Sequence, residues 1–180
     1  SVDDVFACGD CAEKVSFFGG KPSRLKLASI ASTEARIAGA NLFSIKRENV
    51  GTVGVWSTAV GDYALATAGL TEAMAEDMGY DVVSVAIEGV NRHPGRMPGA
   101  AKTKVKMIFE RNSGLALGGQ VMGDSTAGEI INAIAACVQN RMTAEQIAMF
   151  QMGTHPALTA SPIAYHLVNA AEMALTRIRR

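Results

Sequence analysis

The chain of 180 residues carries 17 basic and 17 acidic side chains, so its formal net charge is zero, and 48% of its residues are hydrophobic. A balanced charge argues against nucleic acid or an anionic membrane as the main partner. The sequence shows neither an apolar run near the roughly 20 residues that span a bilayer nor the pattern of a signal peptide. Three cysteines, an odd count, do not predict a disulfide framework, and we therefore expect a reducing, cytoplasmic compartment.

The first 46 residues predict a strand, a loop and a helix. The short apolar segment 5–7 is a strand candidate, and it runs directly into Gly9 and Asp10. Glycines and a proline in the following loop are turn signals. The segment 27–39 is rich in small residues and predicts a helix that packs closely against its neighbours.

After this helix the composition changes at the charged stretch 46–49, where we place a domain boundary that separates 1–46 from 47–180. Beyond the boundary, alternating apolar and polar residues predict strands that have one buried face and one solvated face. This pattern favours an antiparallel sheet. The segment 53–60 is a strand candidate, and a second apolar stretch follows at 64–68. Further strands are predicted at 81–90, 102–110 and 115–122, with a hairpin turn at 111–114 between the last two.

Helix-capping signals predict four helices in the second part of the chain. Thr71 is the candidate start of a helix that stops at Gly79, and Ser125 is the candidate start of the second helix. Thr143 starts the third with Gln146 as a capping box, and Ser161 with Pro162 starts the final helix. A run of strands that gives way to a run of helices is typical of an α+β fold.

Several segments, in this order, resemble the C-terminal part of the pyridine nucleotide-disulfide oxidoreductase family, in particular its NADH oxidase and coenzyme A-disulfide reductase branch. The resemblance implies that 1–46 is the end of an FAD-binding domain and that 47–180 is the family's dimerisation domain. No Gly-rich dinucleotide fingerprint follows a strand here, so the FAD- and NAD-binding cores would belong to a missing N-terminal part of the same polypeptide. The matching segments are Gly9-Asp10, Leu27-Ala28, 34–36, 69–72, 93–99 and 153–156.

Asp10 is the first candidate for binding a cofactor. A carboxylate at the carboxyl end of a strand lies where open α/β sheets bind ligands, although an Asp after a glycine is equally compatible with a simple turn. The resemblance implies that Gly9 and Asp10 contact the ribityl chain of FAD. It also implies that the backbone N–H of Ala28 meets the edge of the flavin ring and that Lys26 and Leu27 line the site.

Cys8 and Cys11 have the Cys-x-x-Cys spacing of redox and zinc motifs. A zinc site needs further ligands, and only Cys137 and three distant histidines are available in the sequence. A thioredoxin-like motif lies at the amino end of a helix, whereas these cysteines follow a predicted strand. The sequence therefore favours a structural role, and we expect no metal site. In the resembled family the redox cysteine lies in the N-terminal flavin domain.

His155 is the candidate catalytic residue. The segment 153–156 resembles the family's His-Pro motif, whose histidine acts as acid or base at the partner subunit's flavin and active-site thiol. An imidazole suits this role because its unperturbed pKa is near neutral. The family's orienting glutamate is replaced by Ala160, and Tyr165 is predicted on the final helix, away from the matching position. The alternative is a loop histidine ahead of a proline-capped helix.

A second loop, 91–99, contains Arg92 and Arg96, which could meet anionic groups at a substrate channel. A rigid connection between strands with solvated charges is the simpler interpretation.

The expected function is that of part of an FAD-dependent NAD(P)H oxidase that passes electrons to oxygen and forms a homodimer. A coenzyme A-disulfide or persulfide reductase of the same family is the alternative. A non-enzymatic dimerisation module and a small thiol-redox protein are further possibilities. We expect this chain alone to be inactive and to bind FAD weakly or not at all.

Overall fold

The computed structural model describes residues 5–178. The chain forms two compact units, one ending at Gly54 and one beginning at Val55. Among the described residues, no helix is both long enough and apolar enough to cross a membrane.

The first unit contains a two-stranded ribbon and one long helix. Strands β1 (Lys14–Val15) and β2 (Pro22–Ser23) pair antiparallel, and helix α1 covers Ala28–Asn41. The unit extends past the predicted boundary because Thr52 is tied to the ribbon. Its backbone N–H donates to Val15 O at 2.8 Å, and its carbonyl accepts from Phe17 N at 3.1 Å.

The predicted strand at 5–7 is not formed, since residues 5–8 have no regular secondary structure. A strand exists through its hydrogen bonds to a neighbour. No strand in the range 5–178 pairs with this segment, so the apolar run alone does not produce one.

The second unit is built on a five-stranded antiparallel sheet, which confirms the predicted fold class. The strand order is β3-β4-β7-β6-β5, so the last strand in the sequence lies at the centre of the sheet. The strands are β3 (Val55–Val60), β4 (Tyr63–Gly69), β5 (Val82–Val90), β6 (Lys102–Glu110) and β7 (Ala116–Gly123).

Close packing at the central strand depends on glycines. A Cβ added to Gly118 would lie 2.1 Å from Leu70 O, and one added to Gly119 would lie 2.8 Å from Lys106 O. Both distances are shorter than any real contact, so residues with side chains cannot replace these glycines without moving the backbone.

Two long helices cover one face of the sheet. Helix α3 (Ala127–Gln139) packs on β3, β4 and β7, and helix α5 (His166–Ile178) packs on β5 and β6. The predicted alternation is confirmed on β6, where the residues facing the helices are buried and Lys102 and Lys104 on the other face are exposed. The fully buried side chains include Val85, Val105, Met107, Phe109, Val121, Ile131, Ile134 and Leu167.

Two predicted helix starts are confirmed. Thr71 caps α2 (Glu72–Asp77), because its hydroxyl accepts from Met74 N at 3.3 Å, and the helix ends just before Gly79. Thr143 and Gln146 form the predicted capping box of α4 (Ala144–Ala148).

The other two helix starts differ from the prediction. Ser125 does not cap α3; instead the Asp124 carboxylate accepts from the backbone N–H and the hydroxyl of Thr126, the residue before the helix. Pro162 begins only a short 3₁₀ turn (Pro162–Ala164), and α5 begins at His166. Tyr165 separates the two because its backbone is extended, with ψ of 117°. Tyr165 therefore does not lie on the final helix.

Candidate functional site

The Gly9-Asp10 segment forms a tight turn in the first unit. Ala12 N donates to Gly9 O at 3.0 Å, and Gly9 has a φ of 84°, a left-handed conformation that favours glycine. The Asp10 side chain is exposed and accepts no hydrogen bond from the described residues. The turn therefore presents a carboxylate whose oxygens are available to a donor from outside the chain.

A buried ion pair holds this turn against α1. Glu34 Oε2 accepts from Gly9 N and from Lys14 Nζ, at 2.8 Å each, and Lys14 Nζ also donates to Gly9 O. The side chains of Lys14 and Glu34 are only 3% and 9% exposed. Both backbone groups of Gly9 are thus fixed by charged partners, which makes the position of Asp10 dependent on this pair.

Lys26, Leu27 and Ala28 lie directly at the start of α1. Leu27 is the N-cap residue, Ala28 is the first helical residue, and Lys26 is exposed. No side chain caps this end, and the first turn contains no acidic residue. The first N–H groups of a 14-residue helix therefore lack a side-chain acceptor and carry the positive end of the helix dipole.

Both the Gly9-Asp10 turn and the predicted residues 26–28 are positioned by helix α1. Glu34, which holds Gly9, is six residues after Ala28, or about 9 Å further along the helix axis. The structure therefore places all five predicted cofactor-binding residues on or against the N-terminal half of α1. It places His155 in the other unit.

His155 lies in an exposed loop that is closed by its own backbone. Its carbonyl accepts from Leu158 N and Thr159 N, and its N–H donates to Thr159 Oγ1 at 3.1 Å. Its Nδ1 accepts from Ala157 N at 3.2 Å, so the proton of the neutral ring is on Nε2. Ala160 is buried and brings no carboxylate to the imidazole.

The loop 91–99 braces the His155 loop. His93 N donates to Pro156 O at 3.0 Å, which joins two loops that are far apart in the sequence. The shape of the first loop depends on the buried Asn91, whose amide accepts from Ala101 N at 2.8 Å and donates to Asp124 Oδ2 at 2.6 Å.

The two arginines of this loop differ in their contacts and in their exposure to solvent. Arg92 Nη1 donates to Pro98 O at 2.8 Å and packs against Gly99, so its guanidinium stabilises the loop itself. Arg96 is exposed.

His166 is a structural residue rather than a second candidate for catalysis. It is buried against Gly89 of β5, where an added Cβ would lie 2.9 Å from His166 Nε2. Desolvation lowers the pKa of His166 below its usual 6.5, and a backbone hydrogen bond to Thr103 opposes this shift in part. His166 Nε2 and Thr103 Oγ1 are each buried without a hydrogen-bond partner.

Within the described part of the chain, no group of three or more His, Cys, Asp or Glu side chains could hold a metal ion. The sequence alone did not predict the Lys14–Glu34 pair or the Asn91–Asp124 contact. The first joins residues 20 positions apart and the second joins residues 33 positions apart, so neither forms a local sequence motif.

Comparison with known proteins agrees with this architecture. The chain is 25% identical over 178 residues to an NADH oxidase of Methanocaldococcus jannaschii, covering 99% of this chain and 39% of that protein. It is 31% identical over 135 residues to the NAD(P)H sulfur oxidoreductase (CoA-dependent) of Pyrococcus furiosus, covering 75% of this chain and 30% of that protein.

Among solved structures, the water-forming NADH oxidase from Lactobacillus brevis bound to NADH superposes with a TM-score of 0.86 at 26% identity. The match covers 97% of this chain and 38% of that one. The chain thus spans about two fifths or less of the length of each of these proteins. Residues 55–164 match the family model described as "Pyridine nucleotide-disulphide oxidoreductase, dimerisation domain". This match includes the whole five-stranded sheet and helix α3, and the chain belongs to the pyridine nucleotide-disulphide oxidoreductase family.

Proposed function

We propose that this chain is the C-terminal dimerisation portion of an FAD-dependent NAD(P)H oxidase, in which electrons pass from NAD(P)H through FAD to oxygen. The observation that carries the proposal is the match of the second unit to the dimerisation domain, together with similarity to two NADH oxidases over nearly the whole chain. The similarity to a CoA-dependent sulfur oxidoreductase supports a coenzyme A-disulfide or persulfide reductase as the second candidate.

We assign the first 46 residues to the end of an FAD-binding domain. The residues present fit this cofactor: the uncapped N-terminus of α1 offers N–H donors, and the exposed Asp10 carboxylate offers an acceptor for a hydroxyl group. Gly9 and Asp10 would hold the ribityl chain, while Lys26, Leu27 and Ala28 would border the ring. When bound, FAD supplies the hydride and electron chemistry that protein side chains lack.

We propose that His155 acts at the flavin site of the partner subunit. With its proton on Nε2 and its Nδ1 occupied by Ala157 N, the neutral ring can donate a hydrogen bond through Nε2. This tautomer favours a role as a hydrogen-bond donor over that of a base, because the lone pair of Nδ1 is already engaged. In the full-length enzyme, His155→Ala should slow turnover with FAD still bound, and by less than about 100-fold, since no carboxylate orients the ring.

A homodimer is part of the proposal. Large apolar side chains near His155 are exposed, with Leu158 at 70% and Ile163 at 88%. A loop that reaches a second copy would bury these side chains, and this is the surface that we expect to carry the contact.

Light scattering of the 180-residue chain tests the dimer, and Ile163→Glu should convert it to a monomer. Val60→Glu on strand β3, where the side chain is 66% exposed, is the matched control and should leave the dimer intact. A monomeric unmodified chain at micromolar concentration would contradict the dimer. Dissociation by the control alone would place the contact on the sheet instead.

Flavin content and acceptor choice test the rest of the proposal. The chain alone should bind little FAD, because the phosphate-binding half of the site is missing and preorganisation is lost. Stoichiometric flavin on the purified chain would refute this assignment. In the full-length enzyme, oxygen consumption that exceeds the reduction of coenzyme A disulfide would favour the oxidase, and the reverse would favour the second candidate.

A further inference from the structure

The two cysteines that flank Gly9 and Asp10 lie on the same turn. Cys11 is exposed and Cys8 is half-buried. Cys11 Sγ is 3.5 Å from Cys8 O, which means that the side chain of Cys11 folds back over the backbone of Cys8. The Cys11 thiol therefore lies against the backbone of Cys8, three residues earlier on the same turn.

The turn that carries them is held in place by the buried pair described above. Gly9 N and Gly9 O bind the charged groups of Glu34 and Lys14, and Ala12 N closes the turn on Gly9 O. A disulfide needs an S–S distance of about 2.05 Å and Cα atoms roughly 4.4–6.8 Å apart. The turn and the contact of Cys11 Sγ with Cys8 O keep the two residues close together, and a disulfide would form if their side chains rotate into this geometry.

The third cysteine provides an internal contrast. Cys137 lies in α3 and is fully buried, and burial raises the pKa of its thiol to about 11. Its thiolate is therefore scarce at neutral pH, and the thiolate is the form that reacts.

We propose that Cys8 and Cys11 form a dithiol–disulfide site that exchanges with small disulfides. The Cys11 thiolate attacks one sulfur of the small disulfide, forming a mixed disulfide and releasing one thiolate, which takes up a proton. The Cys8 thiolate then attacks Cys11 Sγ, forming the Cys8–Cys11 bond and releasing the second thiol. The small disulfide is reduced to two thiols, and the pair of cysteines loses two electrons and two protons.

Exposure sets the order of these steps. Cys11 meets the small disulfide first because it is the exposed thiol, and Cys8 resolves the mixed disulfide from its half-buried position. The new bond would close a ring around Gly9 and Asp10. Oxidation would therefore change the backbone conformation around Asp10 and with it the position of the Asp10 carboxylate.

The test uses the reduced 180-residue chain and oxidised glutathione. We expect an intact mass lower by about 2 Da, which corresponds to two hydrogens lost, and peptide mapping that joins Cys8 to Cys11 with Cys137 still a free thiol. Stable glutathione adducts without an internal link, a link that includes Cys137, or no reaction would each overturn the proposal.

Two variants separate the roles of the thiols. Cys8→Ser should accumulate a glutathione adduct on Cys11, since no thiol remains to resolve it. Cys11→Ser should react at least about tenfold more slowly than Cys8→Ser. Equal adduct formation in both variants would refute the assigned order, and circular dichroism of each variant verifies that the fold is retained.

Discussion

Replacing Glu34 by Gln should destabilise the first unit strongly. The change keeps an amide oxygen that can accept from Gly9 N, but it leaves the Lys14 ammonium buried without its counter-charge. Removing one partner of a buried ion pair costs about 3–5 kcal/mol. Glu34→Ala should cost roughly 1–3 kcal/mol more, because Gly9 N–H would also lose its acceptor.

Hydrogen exchange measured by mass spectrometry on peptides from 5–54 is the assay. The expected loss corresponds to amide exchange on the order of 10²–10⁴-fold faster in α1. Peptides from the second unit should keep their protection. Asp81→Asn provides the control, because the Arg111–Asp81 pair at 3.1 Å is 41% and 59% exposed and should contribute at most about 1 kcal/mol.

Exchange in Glu34→Gln that stays within about threefold of the unmodified chain would refute the reasoning. A second refutation comes from replacing both partners with apolar residues, Lys14→Met with Glu34→Leu. The double change removes the unpaired charge, so stability should recover in part. A double variant as unstable as Glu34→Gln would show that the charge is not the cause.

Three further tests, which use five substitutions, concern the second unit, and each measures urea unfolding by tryptophan fluorescence. The pKa of His166 is lowered in the folded state, so the unfolded state takes up a proton at this histidine first as pH falls. The free energy of unfolding should therefore drop as pH falls below about 6.5. The variant His166→Leu should lack this part of the pH dependence. Gly118→Ala should lower the free energy of unfolding several-fold more than any surface substitution, because the new Cβ would lie 2.1 Å from a carbonyl oxygen. Gly128→Ala, at an open position in a helix, should instead raise the free energy of unfolding by about 0.5–1 kcal/mol. Thr143→Ala should cost about 1 kcal/mol through loss of the capping box, whereas Ser125→Ala should change stability by less than about 0.5 kcal/mol, since Ser125 is not the cap.

Much of the second unit follows from local pattern. Period-two alternation predicts the strands within one or two residues, and strand 102–110 matches β6 in full. Burial alternates as this pattern implies along β4 and the first part of β6, whereas β3 is exposed along nearly its whole length and β7 is buried along most of it. The capping signals at Thr71 and Thr143 succeed because their hydrogen bonds join residues three positions apart.

The failures share a physical cause. The strand at 5–7 needs a partner strand, and the start of α5 depends on how Tyr165 is placed, half-buried, ahead of the helix. The contacts that organise the candidate sites are equally non-local. Nothing in the sequence near Gly9 predicts that Lys14 and Glu34 will bind both of its backbone groups, and nothing near His93 predicts a hydrogen bond to Pro156.

The central position of β7 has a consequence for synthesis of the chain on the ribosome. β3 pairs with β4 and β5 pairs with β6, so at most two separate antiparallel pairs can form before β7 is made. β7 then joins them by pairing with β4 on one side and β6 on the other. Two-stranded pairs are marginally stable alone. The emerging chain therefore has no complete sheet until Gly123 has left the ribosomal tunnel, and ribosome-bound chains that stop before Ala116 should remain sensitive to protease.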